Sequence, residues 1–243
     1  MSVPVLMHVA TPSVAIAEAA LHSGYDGIVV DLQHGEVGLE PGCTIMRAAP
    51  RGNPWLWARA ASLDPGAIGR LLDSGARGIV PPTIETRAQA EALVRATKYP
   101  PLGGRSLGPS RPALYDGESY TAAGNAAVSA VVQIETVRGV ENAEQILSVP
   151  GVDSVYIGPA DLAVSYGLPG RPDWTDGPVH EAHVRIAEIA HAHEVSVGIY
   201  CRTPEFARGL VAAGLVDYVG LGIDLVMVGA QAASHLTSFR STP

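Results

Sequence analysis

Gly27-Ile28-Val29-Val30-Asp31-Leu32-Gln33-His34-Gly35 is the stretch on which the fold turns. Three β-branched residues run without a polar interruption, and then Asp31, Gln33 and His34 arrive together. An alternating pattern would mark a strand with one wet face. An unbroken apolar run marks a strand covered on both faces, as in parallel sheets. The pattern recurs along the 243 residues, predicting strands over 5–9, 27–31, 55–59, 78–81, 130–135, 154–157, 195–200 and 217–221. Between and after them, helical periodicity predicts helices over 13–22, 40–48, 65–73, 87–97, 139–147, 179–193, 204–213 and 225–238. Capping residues stand at the starts of several, such as Asp64, Thr86, Thr203 and Asp224. Glycines such as Gly24, Gly75 and Gly214 stand at helix ends. Strict strand–helix alternation over this length predicts an α/β fold, a single-domain (β/α)8 TIM barrel over residues 1–243. An open doubly wound sheet is the second choice. Residues 98–120, rich in Gly and Pro, read as a long irregular and therefore functional connection.

Composition narrows the partners. A formal net charge of −8 argues against nucleic acid and anionic membranes. Cys43 and Cys201 are the two cysteines, so no disulfide framework is expected and a cytoplasmic location fits. Residues 1–10 carry no basic leader, and no apolar run is long enough to span a bilayer. Lys98 is the one lysine, so Schiff-base chemistry would have a single candidate. It follows the helix at 87–97, which should return the chain to the end of the barrel away from the chemistry.

In a barrel of this kind catalytic groups sit at the C-terminal strand ends. Polar residues gather there: Asp31 to His34 after the second strand, Arg59 ending the third, Gln133 and Glu135 ending the fifth, Asp161 after the sixth. Gln133 and Glu135 share a face because side chains alternate along a strand. Glu135 and Asp161 form a candidate metal pair. Two carboxylates completed by water or substrate oxygens suit Mg²⁺, Mn²⁺ or Co²⁺ better than zinc. An ion pair for Glu135 and a helix cap for Asp161 explain the same spacing as well. His34, in an Asp-x-x-His run with Asp31, is a candidate general base or a loop histidine without a role. Arg59 is a donor to a carboxylate or oxyanion, or a partner of Asp31 or Asp64. His8 is a residue of the pocket or of the packing around it. His180, His183, His191 and His193 read as a solvated helix face. Asp224 argues against a phosphate site after Gly220-Leu221-Gly222.

At these residues the sequence resembles the HpcH/HpaI family of metal-dependent 2-oxo acid aldolases. Five ordered stretches carry the resemblance, and it covers nearly the whole chain: Gly27 to Gly35; Leu72-Asp73-Ser74-Gly75-Ala76-Arg77-Gly78-Ile79; Arg95 to Pro101; Val132-Gln133-Ile134-Glu135-Thr136; and Val149 to Asp153 through Ile157-Gly158-Pro159-Ala160-Asp161-Leu162. The resemblance implies Glu135 and Asp161 as metal ligands, His34 with Asp31 as the base dyad, and Arg59 as the arginine that steadies the enolate oxygen. It implies Gln133, Gly158 and Ala160 as the pyruvate-binding positions, Asp73 as a residue near a subunit boundary, and Gln33 where many members have glutamate. It further implies a homohexamer, with the last helix, about 224–239, exchanged between subunits. The reaction expected is reversible cleavage of 4-hydroxy-2-oxo acids to pyruvate or hydroxypyruvate plus an aldehyde, through a metal-bound enolate. The aldehyde is expected to enter beside the loop at 105–115. An acyl-CoA ester lyase or an oxaloacetate decarboxylase would use the same site, and a barrel that only binds its ligand is the reading from another class.

Overall fold

In the computed structural model, which describes residues 3–108, 110–116 and 120–241, eight parallel strands close into a barrel in the order β1 to β8. The strands are β1 Val5–Val9, β2 Gly27–Asp31, β3 Leu56–Arg59, β4 Gly78–Val80, β5 Ser129–Ile134, β6 Ser154–Ile157, β7 Ser196–Cys201 and β8 Tyr218–Ile223. Closure comes from β8 pairing with β1, where Val5 meets Val219 and a register shift falls between Leu6 and His8. The closed barrel decides against the open sheet, and the strand predictions hold to within two residues at each end.

The helices are α1 Val14–His22, α2 Leu39–Ala48, α3 Pro65–Ser74, α4 Arg87–Thr97, α5 Ser110–Asp116, α6 Tyr120–Ala127, α7 Val137–Glu141, α8 Ala143–Leu147, α9 Pro159–Ser165, α10 Gly177–Ala192, α11 Pro204–Ala212 and α12 Asp224–Arg240. Asp64, Thr86 and Thr203 cap α3, α4 and α11 as their positions suggest. Three helices were not foreseen. Part of the stretch expected to be irregular is helical, as α5 and the start of α6. Its Gly and Pro content hid the helices, and α6 buries none of its residues, so it has no apolar stripe to read. The third, α9, begins at Pro159 directly after β6. Pro109, within the loop expected to receive the aldehyde, lies outside the described residues, as does the side chain of Tyr115.

Strand alternation builds two apolar layers. Outward side chains such as Ile28, Val30, Ile79, Val132 and Ile157 pack under the helices. Inward ones, Leu6, Val29, Trp57, Val80, Val131, Tyr156 and Tyr218, fill the barrel itself. Two residues further along several of these strands the inward positions turn polar: Leu6 is followed by His8, Val29 by Asp31, Trp57 by Arg59 and Val131 by Gln133. The apolar plug therefore becomes the floor of a polar cavity at the C-terminal strand ends.

α12 departs from the packed ring. Asp224 is its one buried residue, and Leu225, Val226, Met227, Val228, Leu236 and Phe239 are exposed. Asp224 does not cap its helix from outside. It stands at the helix start and accepts hydrogen bonds from the amides of Ala10 (2.9 Å), Thr11 (3.0 Å) and Leu225 (2.8 Å) and from Thr11 Oγ1 (2.6 Å), tying α12 to the end of β1. Among the described residues no helix is long and apolar enough to cross a membrane. Both cysteines are free and buried.

Candidate active site

The cavity at the C-terminal strand ends encloses about 410 Å³ and is lined by residues of six strands and the turns that follow them. It brings together Arg59, Gln133, Glu135, Gly158, Ala160 and Asp161 of the sequence-derived set, and adds His8, Tyr156, Pro159, Tyr200 and Ile223.

Glu135 is the most constrained of these. It is 3% exposed, and a buried carboxylate needs donors or a cation. Its Oε1 accepts from both the amide (2.8 Å) and the hydroxyl (2.9 Å) of Thr83, and its Oε2 accepts from Gln133 Nε2. Among the described residues no arginine pairs with the carboxylate, so the ion-pair alternative is not realised there. Thr83 holds a left-handed backbone conformation, φ 55°, which costs a β-branched residue energy and which loop closure at the end of β4 sustains. Beside Glu135 the chain must be glycine. A Cβ on Gly158 would lie 2.5 Å from Glu135 Oε2 and 2.8 Å from its Cβ. Asp161 follows three residues later in the first turn of α9 and faces the same cavity while remaining exposed. The amides of Ala160 and Asp161, in that first turn, have no intrahelical acceptor. Gln133 Oε1 is buried without a hydrogen-bond partner among the described residues. One buried carboxylate oxygen, one exposed carboxylate and an unsatisfied amide oxygen around one cavity are hard oxygen donors. They fit a divalent cation completed by water or substrate.

Arg59 lies opposite, 13% exposed at its side chain. Its Nε and Nη2 donate to the two oxygens of Asp31 at 2.9 and 2.6 Å, a bidentate fork that fixes the guanidinium plane. The two residues are register partners on β2 and β3. Burial alone would raise the Asp31 carboxyl, but the Arg59 hydrogen bonds and charge, with His8, hold it below the usual carboxylate range. Asp31 also accepts from the amides of Gln33 (3.0 Å) and His34 (3.2 Å). It thus shapes the loop through its backbone, and the carboxylate–imidazole dyad read from Asp-x-x-His is replaced by a carboxylate–guanidinium pair. His34 is exposed on the loop after β2, at the same end of the barrel, and is not among the cavity-lining residues. Gln33 is half-buried beside it, with Oε1 unpartnered among the described residues.

His8 and Tyr156 form a buried pair, Nε2 to Oη 2.8 Å. Burial, then the Arg59 charge, pushes the His8 imidazole down to about 3, so the ring is neutral near pH 7. Burial raises the Tyr156 phenol well above its ordinary value. Tyr200 closes the side, edge-on to His8 with centroids 5.4 Å apart. Tyr156 and Tyr200 were missed, whereas His8, expected in the pocket or in the packing around it, lines the cavity. Leu6-x-His8 was the available signal, since an inward strand position that turns from apolar to polar marks the rim of the plug.

One expected participant, the loop at 105–115, lies elsewhere, and Asp73, expected near a subunit boundary, lies with it. Asp73, at the end of α3, pairs with Arg105 at the N-terminal end of the barrel. The loop expected to receive the aldehyde begins there too, because α4 returns the chain to that end; it does not flank this chain's own cavity. Lys98 is sealed at the same end. Its Nζ meets Asp153 at 2.8 Å and the carbonyls of Asn125 (3.0 Å) and Val128. The histidines of α10 divide: His183 is buried, against the expectation of a solvated face, whereas His191 and His193 are paired on the surface with Asp217 and Glu144.

Comparison with known proteins identifies the family. Residues 5–229 match the family model described as HpcH/HpaI aldolase/citrate lyase. The chain is 37% identical over 230 residues to a hydroxypyruvate/pyruvate aldolase of Rhizorhabdus wittichii, covering 95% of this chain and 91% of that one. It is 40% identical over 232 residues to a 4-hydroxy-2-oxovalerate aldolase of Novosphingobium aromaticivorans, covering 93% and 86%. The crystal structure of an HpcH/HpaI aldolase/citrate lyase family protein from Burkholderia cenocepacia superposes with a TM-score of 0.86 at 30% identity, covering 99% and 95%. The match over residues 5–229 and these relatives show that the chain belongs to the HpcH/HpaI aldolase/citrate lyase family and is a carbon–carbon lyase.

Proposed function

We propose that the chain catalyses reversible aldol cleavage of 4-hydroxy-2-oxo acids, giving pyruvate or hydroxypyruvate and an aldehyde, with a divalent cation (Mg²⁺, Mn²⁺ or Co²⁺) held by Glu135 and Asp161. The supporting observation is that Glu135 and Asp161 open onto one cavity facing Arg59, with Thr83 taking Oε1 of Glu135 and the Gln133 amide its Oε2. The cation supplies a Lewis acid for the carboxylate and keto oxygens of the oxo acid. The amides of Ala160 and Asp161 receive the substrate carboxylate, and Gln133 orients it. Arg59 has Nε and Nη2 committed to Asp31, so Nη1 is the donor left for the oxygen that gains charge as the carbon–carbon bond breaks. The proton step falls to His34. An imidazole near pKa 3 is a poor base at neutral pH, which leaves His8 to position Tyr156 rather than to accept protons. Lys98 takes no part.

The relatives' printed names favour pyruvate-type donors over the acyl-CoA and oxaloacetate alternatives. The exposed α12 supports a homo-oligomer, taken as a hexamer, in which that helix is exchanged. A neighbouring subunit would then be what brings Asp73 and the loop at 105–115 toward a cavity.

The test is an aldehyde panel with pyruvate and hydroxypyruvate. Chelation should abolish turnover, and Mg²⁺, Mn²⁺ or Co²⁺ should restore it. Borohydride with pyruvate should trap no adduct. No turnover with restored ion, or a trapped adduct on Lys98, would sink the reading.

A further inference from the structure

We infer that His8 is a specificity-determining residue of the proposed aldolase site, and that it selects an oxo acid with a hydroxyl on carbon 3, hydroxypyruvate, over pyruvate. The inference rests on the reading of the site given above and narrows it to one class of donor. Most polar groups of the cavity already have a use. Arg59 is forked onto Asp31, and Glu135 is held by Thr83 and Gln133. Asp161 and the amides at the start of α9 serve the cation and the substrate carboxylate in the proposed reaction. Two residues of the lining carry a buried polar atom with no hydrogen-bond partner among the described residues: Gln133 at Oε1 and His8 at Nδ1. Gln133 is bonded to Glu135, on the side assigned to the cation. His8 stands on β1, edge-on to Tyr200 and in register with Ile223.

His8 is held so that Nδ1 is the atom left over. The residue is 2% exposed, Nε2 lies 2.8 Å from Tyr156 Oη, and the bare backbone of Gly220 makes room for the pair. The ring is neutral, because burial and the Arg59 charge disfavour its charged form. A neutral imidazole has one N–H and one acceptor nitrogen. Where Tyr156 donates to Nε2, Nδ1 carries the hydrogen; where Nε2 donates to Tyr156, Nδ1 accepts. A hydroxyl both donates and accepts, so it satisfies Nδ1 in either tautomer. A methyl satisfies neither. The oxo acid has three parts to place. With its carboxylate at the start of α9 and its keto oxygen between the cation and Arg59, carbon 3 is the part left for the wall of His8, Tyr200 and Ile223. That carbon bears the hydroxyl of hydroxypyruvate and is the methyl of pyruvate. A site that bonds a hydroxyl discriminates against the analogue without it, because the site's own buried polar atom is then unpaired. Water can stand beside a methyl instead, which limits the difference to about tenfold, the worth of one neutral hydrogen bond.

The test compares two substitutions of one shape. Leucine and asparagine side chains are isosteric, and the amide of asparagine comes close to where Nδ1 stands in histidine, so His8→Leu and His8→Asn differ in polarity alone. Both take the imidazole away from Tyr156, which cancels any packing effect common to the two. Hydroxypyruvate and pyruvate are titrated calorimetrically into the Mg²⁺-loaded protein with no aldehyde present, and deuterium uptake at carbon 3 of each is followed by NMR. The wild type should bind hydroxypyruvate about tenfold more tightly than pyruvate. His8→Leu should bring the two affinities to within about twofold, and His8→Asn should keep most of the preference. A wild type without that preference overturns the inference. So does a preference that His8→Leu keeps, or that His8→Asn loses as fully; deuterium uptake from either donor then leaves the aldolase reading standing. Absence of uptake from both donors overturns that reading and the inference with it.

Discussion

Two glycines set where two functional side chains stand. A Cβ on Gly220 would lie 1.9 Å from Tyr156 Oη and 3.2 Å from His8 Nε2, so β8 must be bare there for that pair to form. Gly158 does the same for Glu135. Gly158→Ala forces the carboxylate aside without touching the apolar layers. Melting should therefore change little, while affinity for the divalent ion falls by at least about tenfold; calorimetric titration of Mn²⁺ checks this, and unchanged affinity would remove Glu135 from the ligand set. His183 carries a different prediction. Burial, then His180, lowers its imidazole to about 3, and both ring nitrogens lack partners among the described residues. Between pH 6.5 and 3 the unfolded chain takes up a proton that the folded chain refuses, so stability falls as pH falls through that window. At pH 5 the deficit from this residue is about 2 kcal/mol. His183→Leu removes it, and urea unfolding should show the variant near wild type at pH 7 and more stable at pH 5. A parallel pH dependence in the two proteins would refute the assignment.

At the level of elements, the barrel was legible because buried parallel strands are unbroken apolar runs, and Gln133 with Glu135 was legible because period two holds along β5. What escaped depends on three-dimensional closure. The φ of Thr83 and its double donation to Glu135 arise from how the turn after β4 meets β5. The Asp31–Arg59 fork follows from the register of β2 against β3, which the sequence left as one option among several. The loop after α4 looked like part of the cavity because its composition is functional in character; the direction of α4 puts it at the other end. Asp224 belongs here also, as the joint between β1 and β8. Asp224→Ala leaves the amides of Ala10 and Thr11 without their acceptor in a part-buried corner, at a cost of about 3 kcal/mol. Denaturant titration should show that loss with a nearly unchanged slope. A shift under about 0.5 kcal/mol, the range of ordinary surface changes, would mean that water replaces the carboxylate there.

For the molecule as a whole, α12 poses the sharpest question. A helix that shows Leu225, Val226, Met227, Val228, Leu236 and Phe239 to solvent, the last at 81% exposure, buries too little against its own barrel to account for its apolar content. If a second copy covers it, the full-length protein sediments as an oligomer and Phe239 sits in a contact whose loss costs about 2 kcal/mol or more. Leu236→Asp with Phe239→Asp should then dissociate the assembly. The circular dichroism of the barrel should stay intact, because neither side chain packs into its core clusters. Light scattering coupled to gel filtration reads the first outcome, and the second keeps it from being confused with unfolding. A wild-type protein that runs as a monomer, or an oligomer unmoved by both charges, would show that α12 is not the contact that joins the copies. If turnover also falls in the dissociated but folded variant, the neighbour completes the cavity, which is the role proposed for Asp73 and the loop at 105–115.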